Sequence, residues 1–256
     1  MFSKQGGFGQ GVGRLLVLGL TGTVAGCGGG SAGNGYGYGY GNNYSRWGNP
    51  AGIPNQAKYA FVVNNGSNNL SEYSTNTGGG LTSMATLRTG NSPNSVAVNP
   101  ARRYVYVTNL SDSTLEEYTV SSSGVISPLS TIATGNSPES VAIDPSGHYA
   151  YVGISTGIAQ FNIGTNGLLT TMIGSPVATN GIAQSVAVDP LGQFVYVAIP
   201  NKNQLMVFGI GSTGGLSYLR TLATGSSPQS VAVDPTGQYI YVVNQLSNSL
   251  SQYTHT

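Results

Sequence analysis

The sequence has little charge, one cysteine and two histidines. Asp, Glu, Lys and Arg make up 7% of the 256 residues, against roughly a quarter in typical soluble domains. The chain carries 9 basic and 8 acidic residues, so it lacks the clustered basic face that phosphate recognition needs, and we exclude nucleic acid as a partner. The scarcity of ionisable side chains also disfavours acid–base chemistry, which needs several such groups in one place.

The single cysteine, Cys27, directly follows an export signal. Residues 1–14 hold two basic side chains and no acidic one, Leu15 to Ala25 form an apolar run, and small residues precede the cysteine. This pattern predicts a signal peptide over residues 1–26, because the run is shorter than the ~20 residues of a membrane-spanning helix. A cysteine at this point resembles a bacterial lipobox, which implies a lipid on Cys27 and anchoring in the cell envelope, at the outer membrane facing the periplasm or at the cell surface. The alternative is an ordinary signal peptide that happens to end before a cysteine.

A low-complexity segment follows over residues 27–56. It contains glycine runs and alternating glycine and tyrosine between Gly35 and Gly41. Such a composition has little apolar surface to bury, so we predict a flexible tether between the lipid and a folded domain over residues 57–256.

From Tyr59 onward the sequence repeats every 45 residues. An aromatic residue, a threonine, a serine and a proline each keep this spacing. They are Tyr59, Tyr104, Tyr149, Phe194 and Tyr239; Thr89, Thr134, Thr179 and Thr224; Ser95, Ser140, Ser185 and Ser230; and Pro100, Pro145, Pro190 and Pro235. A period of this length is typical of repeat architectures, in which each unit is one supersecondary element.

Each unit contains the signals of four short strands. A Ser-Val-Ala strand leads into an Asp-Pro-x-Gly turn, as at Asp144 to Gly147, and a strand of alternating tyrosine and valine follows, as at Tyr104 to Val107. A third strand ends near an aromatic residue, and a glycine-rich turn leads to the fourth. We therefore predict an all-β fold, a β-propeller of four-stranded antiparallel blades. A solenoid is the alternative, but its coils are usually shorter.

The repeats resemble a known family. Tyr106-Val107-Thr108-Asn109, and the run from Thr134 through Gly-Asn-Ser-Pro to Asp144-Pro145, are similar to the YVTN-type repeat of lactonase-like seven-bladed β-propellers in bacterial envelopes. The similarity extends from Tyr59 to Tyr253. It implies the propeller fold, but the matching residues belong to turns and strands, and a fold does not by itself identify a reaction.

The number of repeats is smaller than the family's seven. Residues 59–256 hold about 4.4 units, where seven blades need about 315 residues. The sequence thus predicts about four to five blades, and three arrangements stay open: a five-bladed ring lacking two strands, an open arc, or a truncated seven-bladed ring. An arc or a truncation exposes a strand edge, so we expect self-association through that edge.

The sequence indicates no catalytic residue, metal site or cofactor. His148 follows an Asp-Pro-Ser-Gly turn, at a position that other copies fill with other polar residues, so we interpret it as a solvated turn residue. Asp144, Asp189 and Asp234 recur at the repeat period. Each belongs to the turn that follows its own strand, and turn chemistry explains it without a metal.

The Thr-Gly-Asn-Ser-Pro segments and the Asn/Ser loops share one face of the predicted propeller, which we call the loop face. Its neutral amides and hydroxyls suit hydrogen bonding to a glycan, a peptide or an envelope protein, although polar loops also occur in any propeller. The candidate binding residues are Asn91, Ser92, Asn94, Asn109, Asn136, Ser137, Glu139, Asn180, Ser226, Ser227, Gln229 and Asn244.

Two functions are compatible with these observations. The leading hypothesis is a lipid-anchored, extracytoplasmic binding or scaffold module of the envelope, without catalysis. The competing hypothesis, implied by the resemblance, is a lactonase-type hydrolase, similar to 6-phosphogluconolactonase, that acts on a sugar lactone. Lactone hydrolysis needs a general base or a metal together with charge stabilisation, and this sequence offers few groups for either.

Overall fold

The computed structural model describes Val24–Cys27, residues 58–75 and residues 80–254. Its strands form five antiparallel sheets. Residues 1–23 of the predicted signal peptide and residues 28–56 of the predicted tether lie outside the described residues. Within the described part, no helix has the length and apolar character needed to cross a membrane.

The sheets repeat one strand order along the chain. The first contains β1 (Val24–Cys27), β2 (Lys58–Asn64), β3 (Asn69–Thr75) and β4 (Leu81–Arg88). The second contains β5 (Pro93–Val98), β6 (Tyr104–Asn109), β7 (Thr114–Val120) and β8 (Ile126–Ala133). The third contains β9 (Ser140–Ile143), β10 (Tyr149–Ile154), β11 (Gly157–Ile163) and β12 (Leu169–Thr171), and β13 (Val177–Ala178) also pairs with β11.

The fourth sheet contains β14 (Ser185–Val188), β15 (Phe194–Ile199), β16 (Gln204–Ile210) and β17 (Leu216–Ala223). The fifth contains β18 (Pro228–Val233), β19 (Tyr239–Asn244) and β20 (Ser249–Thr254). Two 3-10 turns, Asn65–Ser67 and Pro200–Lys202, lie in loops. The prediction of an all-β fold of four-stranded antiparallel propeller blades is confirmed.

The first strand of each blade lies on the inner side of the fold. β1, β5, β9, β14 and β18 pack side by side in this order, as the inner strands of consecutive blades do around a propeller axis. The small and β-branched residues of the Ser-Val-Ala strands suit this crowded position.

The core lies between blades. Tyr104, Tyr106 and Leu115 of the second blade pack in one cluster with residues of the third, such as Val152. The Tyr104 ring lies over Gly167, which has φ +83°, and a Cβ there would stand 2.2 Å from Tyr104 Cδ1. The periodic aromatic residue and the glycine-rich turn are therefore two halves of one contact between consecutive blades.

The first and fifth sheets are the two ends of the row of blades. Among the described strands, extensive packing joins each sheet to the next, and none of comparable extent joins the fifth sheet to the first. In the described part of the fifth sheet no fourth strand covers the outer edge of β20. Self-association through this edge stays a prediction, which sedimentation velocity of the purified chain would test.

The first blade takes its inner strand from the region of the predicted lipobox. The backbone of Val24–Cys27 pairs with β2, and Cys27 lies opposite Tyr59. Cleavage before Cys27 would remove Val24, Ala25 and Gly26 from β1. Signal-peptide removal, lipidation of Cys27 and the tether all stay predictions.

Candidate functional site

A hydrogen-bonded row of side chains lies on the loop face, where the inner strands begin. Asn94 Nδ2 donates to Glu139 Oε2 at 2.8 Å and to the Glu139 carbonyl at 2.8 Å. Gln184 Nε2 donates to the same Oε2 at 3.0 Å. Asn94, Glu139, Gln184 and Gln229 hold the same position in successive repeats, and we call these four residues the axial row. Gln229 belongs to it by repeat position, and its Nε2 donates to Ser227 Oγ at 3.0 Å. The row places one carboxylate between two amides, beside the axis.

The periodic serines fix the spacing of the axial row. Each of the four follows an axial-row residue directly, and in Ser95, Ser140 and Ser185 the hydroxyl accepts a backbone N–H from the inner strand of the next blade. Ser95 Oγ accepts the Val141 N–H at 3.1 Å, and Ser140 Oγ accepts the Val186 N–H at 3.2 Å. Ser185 Oγ accepts from Val231 in the same way at 3.2 Å. The sequence showed the period of these serines but not this role.

Several predicted loop-face residues shape the loops themselves. Ser92, Ser137, Asn180 and Ser227 have positive φ between +52° and +55°, the left-handed conformation of tight turns. Asn91 is fixed by Asp112, whose Oδ1 accepts the Asn91 side-chain amide at 2.8 Å and whose Oδ2 accepts its backbone N–H. Asn136 and Ser226 are exposed.

Three predicted binding residues are buried: Asn94, which is 8% exposed in the axial row, and two others within their own blades. Asn109 is 0% exposed and Asn244 is 1% exposed. Asn109 Nδ2 donates to Thr114 Oγ1 at 3.3 Å, and Asn244 Nδ2 donates to Ser251 Oγ at 2.9 Å. These amides hold the hairpin between the second and third strands, so the surface that a ligand can reach on the loop face does not include them.

The opposite face contains the aspartate turns. Asp144 Oδ1 accepts the Tyr149 N–H at 2.7 Å, and its Oδ2 accepts the N–H and the hydroxyl of Ser146. His148 is exposed, with Nδ1 3.0 Å from Ser146 Oγ. The turn interpretation of these residues is confirmed. No group of three or more His, Cys, Asp or Glu within the described ranges is placed to hold a metal ion.

Two buried glutamates connect consecutive blades. Glu72 Oε2 accepts the Ile126 N–H at 3.4 Å, and Glu117 Oε1 accepts the Leu169 N–H at 3.3 Å. Gln160 Oε1 does the same for Leu216 at 2.8 Å. Burial raises the pKa of both carboxyls, and the backbone hydrogen bond opposes that shift. Since an uncharged glutamine also fills this position, the role is structural.

A pocket of about 420 Å³ opens at the third blade. It is lined by Ala133, Thr134, Gly135, Asn136, Ile154, Thr156, Ala159, Phe161, Thr171, Ser175 and Pro176. Asn136 was in the predicted binding surface and the other lining residues were not. One sequence signal pointed to this region: the third repeat has a loop shorter by two residues and a later segment longer by two.

Comparison with solved structures shows the fold. A protein from Lactobacillus plantarum aligns with TM-score 0.69 and 22% identity, over 77% of this chain and 64% of that one. A periplasmic gluconolactonase from Pseudomonas aeruginosa aligns with TM-score 0.65 and 20% identity, over 77% and 63%. A Bacteroides uniformis protein described as a candidate 6-phosphogluconolactonase aligns with TM-score 0.66 and 18% identity, over 80% and 65%. This chain thus spans less than two thirds of the length of these structures.

Sequence comparison shows the family. No curated protein sequence matches the chain. The family described as "Lactonase, 7-bladed beta-propeller" matches residues 53–180 and 167–255. These matches cover the five blades from the second strand of the first to the last strand of the fifth. The chain therefore belongs to the seven-bladed lactonase family of β-propellers.

Proposed function

We propose that this protein is an extracytoplasmic binding module that takes a neutral polar ligand, such as a glycan or a peptide, at the axial row of its loop face. The observation that carries the proposal is the chain of hydrogen bonds from Asn94 through Glu139 to Gln184. Both N–H groups of the Asn94 side chain, which is 8% exposed, are taken up by Glu139. The row therefore offers a ligand the second N–H of the Gln184 amide and a carboxylate that can accept further hydrogen bonds. Hydroxyl groups of a sugar, or backbone amides of a peptide, match both kinds of partner.

The composition of the axial row favours binding over catalysis. Glu139 is the one ionisable residue of the axial row, and its carboxylate already accepts two amide hydrogen bonds. Such an arrangement orients a carboxylate but supplies no second group to share a proton. We propose a scaffold or recognition role on this basis.

We also propose that the module works at the cell envelope. The support is the export signal over residues 1–26 and the position of Cys27 directly after it. Several acyl chains on one residue would anchor the chain stably. Mass spectrometry of the mature N-terminus tests this: an unmodified Cys27, or a chain that keeps Val24 to Gly26, contradicts it.

A glycan array probed with the purified full chain tests the binding role. We expect a subset of neutral glycans or cell-wall fragments to bind, and Gln184→Trp to abolish the signal by filling the axial row. Gln193→Trp is the matched control and should leave binding unchanged, because Gln193 lies beside the Asp189 turn on the face opposite the loop face. Binding that survives Gln184→Trp, or that both variants abolish, contradicts a site at the axial row.

Lactone hydrolysis is the second candidate function, and family membership favours it. In this case Glu139 would act as the general base of the axial row. Acid release from 6-phosphogluconolactone, followed in a weakly buffered solution, tests the activity, and Glu139→Gln should abolish it. Hydrolysis that persists in Glu139→Gln, or none in the unaltered chain, contradicts this role.

A further inference from the structure

The outer part of the third blade is interrupted. β12 pairs with Phe161, Asn162 and Ile163 of β11, and β13 pairs with Gly157 and Ile158. Between these pairings Ala159 and Gln160 face no outer strand. The Gln160 N–H donates instead to Ser175 Oγ at 2.9 Å. The pocket of about 420 Å³ lies at this interruption.

The second blade shows what fills the equivalent space. Glu116 of β7 holds the repeat position of Ala159. Its Oε1 accepts the N–H of Gly90 at 2.9 Å, and its Oε2 accepts the hydroxyl of Tyr118. The glutamate therefore connects the loop that enters the blade to the aromatic residue of the third strand.

The fifth blade makes the same connection with a shorter side chain. Ser251 holds the position of Glu116, and its Oγ accepts the N–H of Gly225 at 3.4 Å. Gly225 is the repeat equivalent of Gly90. An oxygen acceptor for this glycine N–H thus recurs in two blades with different side chains.

In the third blade the acceptor is missing and its surroundings differ: Gly135 has φ +98°, and Ile154 lies beside it where Asn109 lies beside Gly90. Gly135, Ala159 and Phe161 are the equivalents of Gly90, Glu116 and Tyr118, and all three line the pocket. An alanine methyl accepts no hydrogen bond. No acceptor among the described residues contacts the Gly135 N–H, and Gly135 is exposed.

We propose that this pocket binds a small organic carboxylate, one oxygen of which accepts the Gly135 N–H as Glu116 Oε1 accepts that of Gly90. The side chains of Asn136, Thr156 and Thr171, which also line the pocket, offer donors to the second oxygen. A carboxylate fits because a charged acceptor makes the stronger hydrogen bond to a backbone N–H.

The size of the pocket leaves room for more than a carboxylate. Its volume lies within the range of small-molecule sites, which begins at about 300 Å³. Ile154, Phe161 and Pro176 provide apolar contacts for the body of the ligand. No lysine or arginine lines the pocket, so we expect weak binding that depends on hydrogen bonds more than on ionic attraction.

Amide NMR of the full chain tests the proposal with propionate as the probe. We expect propionate to move the Gly135 amide proton downfield in a saturable manner, and to leave the Gly90 and Gly225 amides unmoved. Propionamide and sodium chloride are the ligand controls. A Gly135 amide that does not respond to propionate, or that responds equally to propionamide, overturns the proposal of a carboxylate site.

Two substitutions of Ala159 supply a side-chain acceptor for the Gly135 N–H in place of the ligand. Ala159→Glu should move the Gly135 amide downfield without ligand and remove its response to propionate. Ala159→Ser copies the serine of the fifth blade. Because it is a smaller change, it provides the same test if Ala159→Glu does not fold. Propionate responses that persist unchanged in both variants overturn the assignment of the site.

The reverse variant is the matched control. Glu116→Ala removes the acceptor in the second blade, but β8 stays paired along β7 and the pocket residues of the third blade have no counterpart there. The Gly90 amide should therefore stay insensitive to propionate, and the Gly135 response should stay as it was. A Gly90 amide that responds as Gly135 does would show that the interrupted strand is not needed, which contradicts the pocket as the binding site.

Discussion

The second and fifth blades carry nearly the same residues on one face, and their surroundings differ. In the second blade Tyr104 is 9% exposed and Leu115 is 0% exposed, because the third blade covers them. In the fifth blade the equivalent Tyr239 is 37% exposed and Leu250 is 53% exposed. The same repeat position is core in one blade and surface in the other.

The difference shows that a blade does not build a core alone. Each blade contributes one layer, and burial requires the layer of the next blade. The contribution of an apolar side chain to the free energy of unfolding should therefore depend on which blade it lies in, and not only on its position in the repeat. Paired substitutions in the second and fifth blades test this dependence.

The largest difference is expected for the leucine pair. Leu115→Ala removes a fully buried side chain and should lower the free energy of unfolding by about 2–5 kcal/mol. Leu250→Ala removes a half-exposed one and should cost less than about 1 kcal/mol. Urea unfolding followed by circular dichroism measures both. Equal costs would show that another body covers the fifth blade in solution.

A smaller difference is expected for the tyrosine pair. The Tyr106 hydroxyl donates to the Gly167 carbonyl of the next blade at 2.9 Å. Tyr106→Phe leaves that buried carbonyl without its donor, which should cost about 1–2 kcal/mol. Tyr241→Phe is the control, since Tyr241 is only partly buried. If the two substitutions have the same effect in thermal unfolding, the hydrogen bond between blades does not stabilise the fold.

The smallest effect is expected for the buried carboxyl of Glu117. Burial raises its pKa, so the folded state holds the proton more tightly than the unfolded chain. The contribution of Glu117 to the stability of the fold is therefore most favourable at low pH. It is lost as the pH rises from the ordinary glutamate pKa of about 4.3 through the raised pKa of the folded state. Glu117→Gln removes this loss and should stabilise the fold at neutral pH but not at acidic pH.

The fifth blade supplies the control for that substitution. Gln252 holds the position of Glu117 and is exposed, so Gln252→Glu should change the free energy of unfolding little at any pH. Chemical unfolding at a series of pH values measures both variants. A gain for Glu117→Gln that is the same at every pH would mean that charge burial is not its cause.

The fold could be predicted because its signals are local and repeated. The Asp-Pro-x-Gly turn needs only its own backbone, and the alternation of Tyr104 to Val107 reflects one strand with two buried faces. The period then implied that every unit is the same element. The third blade departed from the expected strand pattern, because the two extra residues after Thr171 interrupt its outer strand.

The candidate site could be predicted only in part. Asn94, Glu139 and Gln229 were placed on the loop face from the strand order, and the structure puts them in the axial row. Gln184 was missed, although the 45-residue spacing from Glu139 and to Gln229 pointed to it. The missing acceptor beside Gly135 had no direct sequence signal either. It depends on Ala159, and the importance of this alanine appears only when its position is compared with that of Glu116 in the second blade.

The sequence by itself determined the period, the strands and the turns, because these depend on neighbours a few residues apart. The tertiary structure alone decided which repeats are covered. Tyr104 and Tyr239 are the same residue in the same local context, and only the presence of a following blade separates core from surface. The pocket beside Gly135 is likewise a product of tertiary structure. It exists because β12 and β13 leave part of β11 unpaired, which the 45-residue period does not indicate.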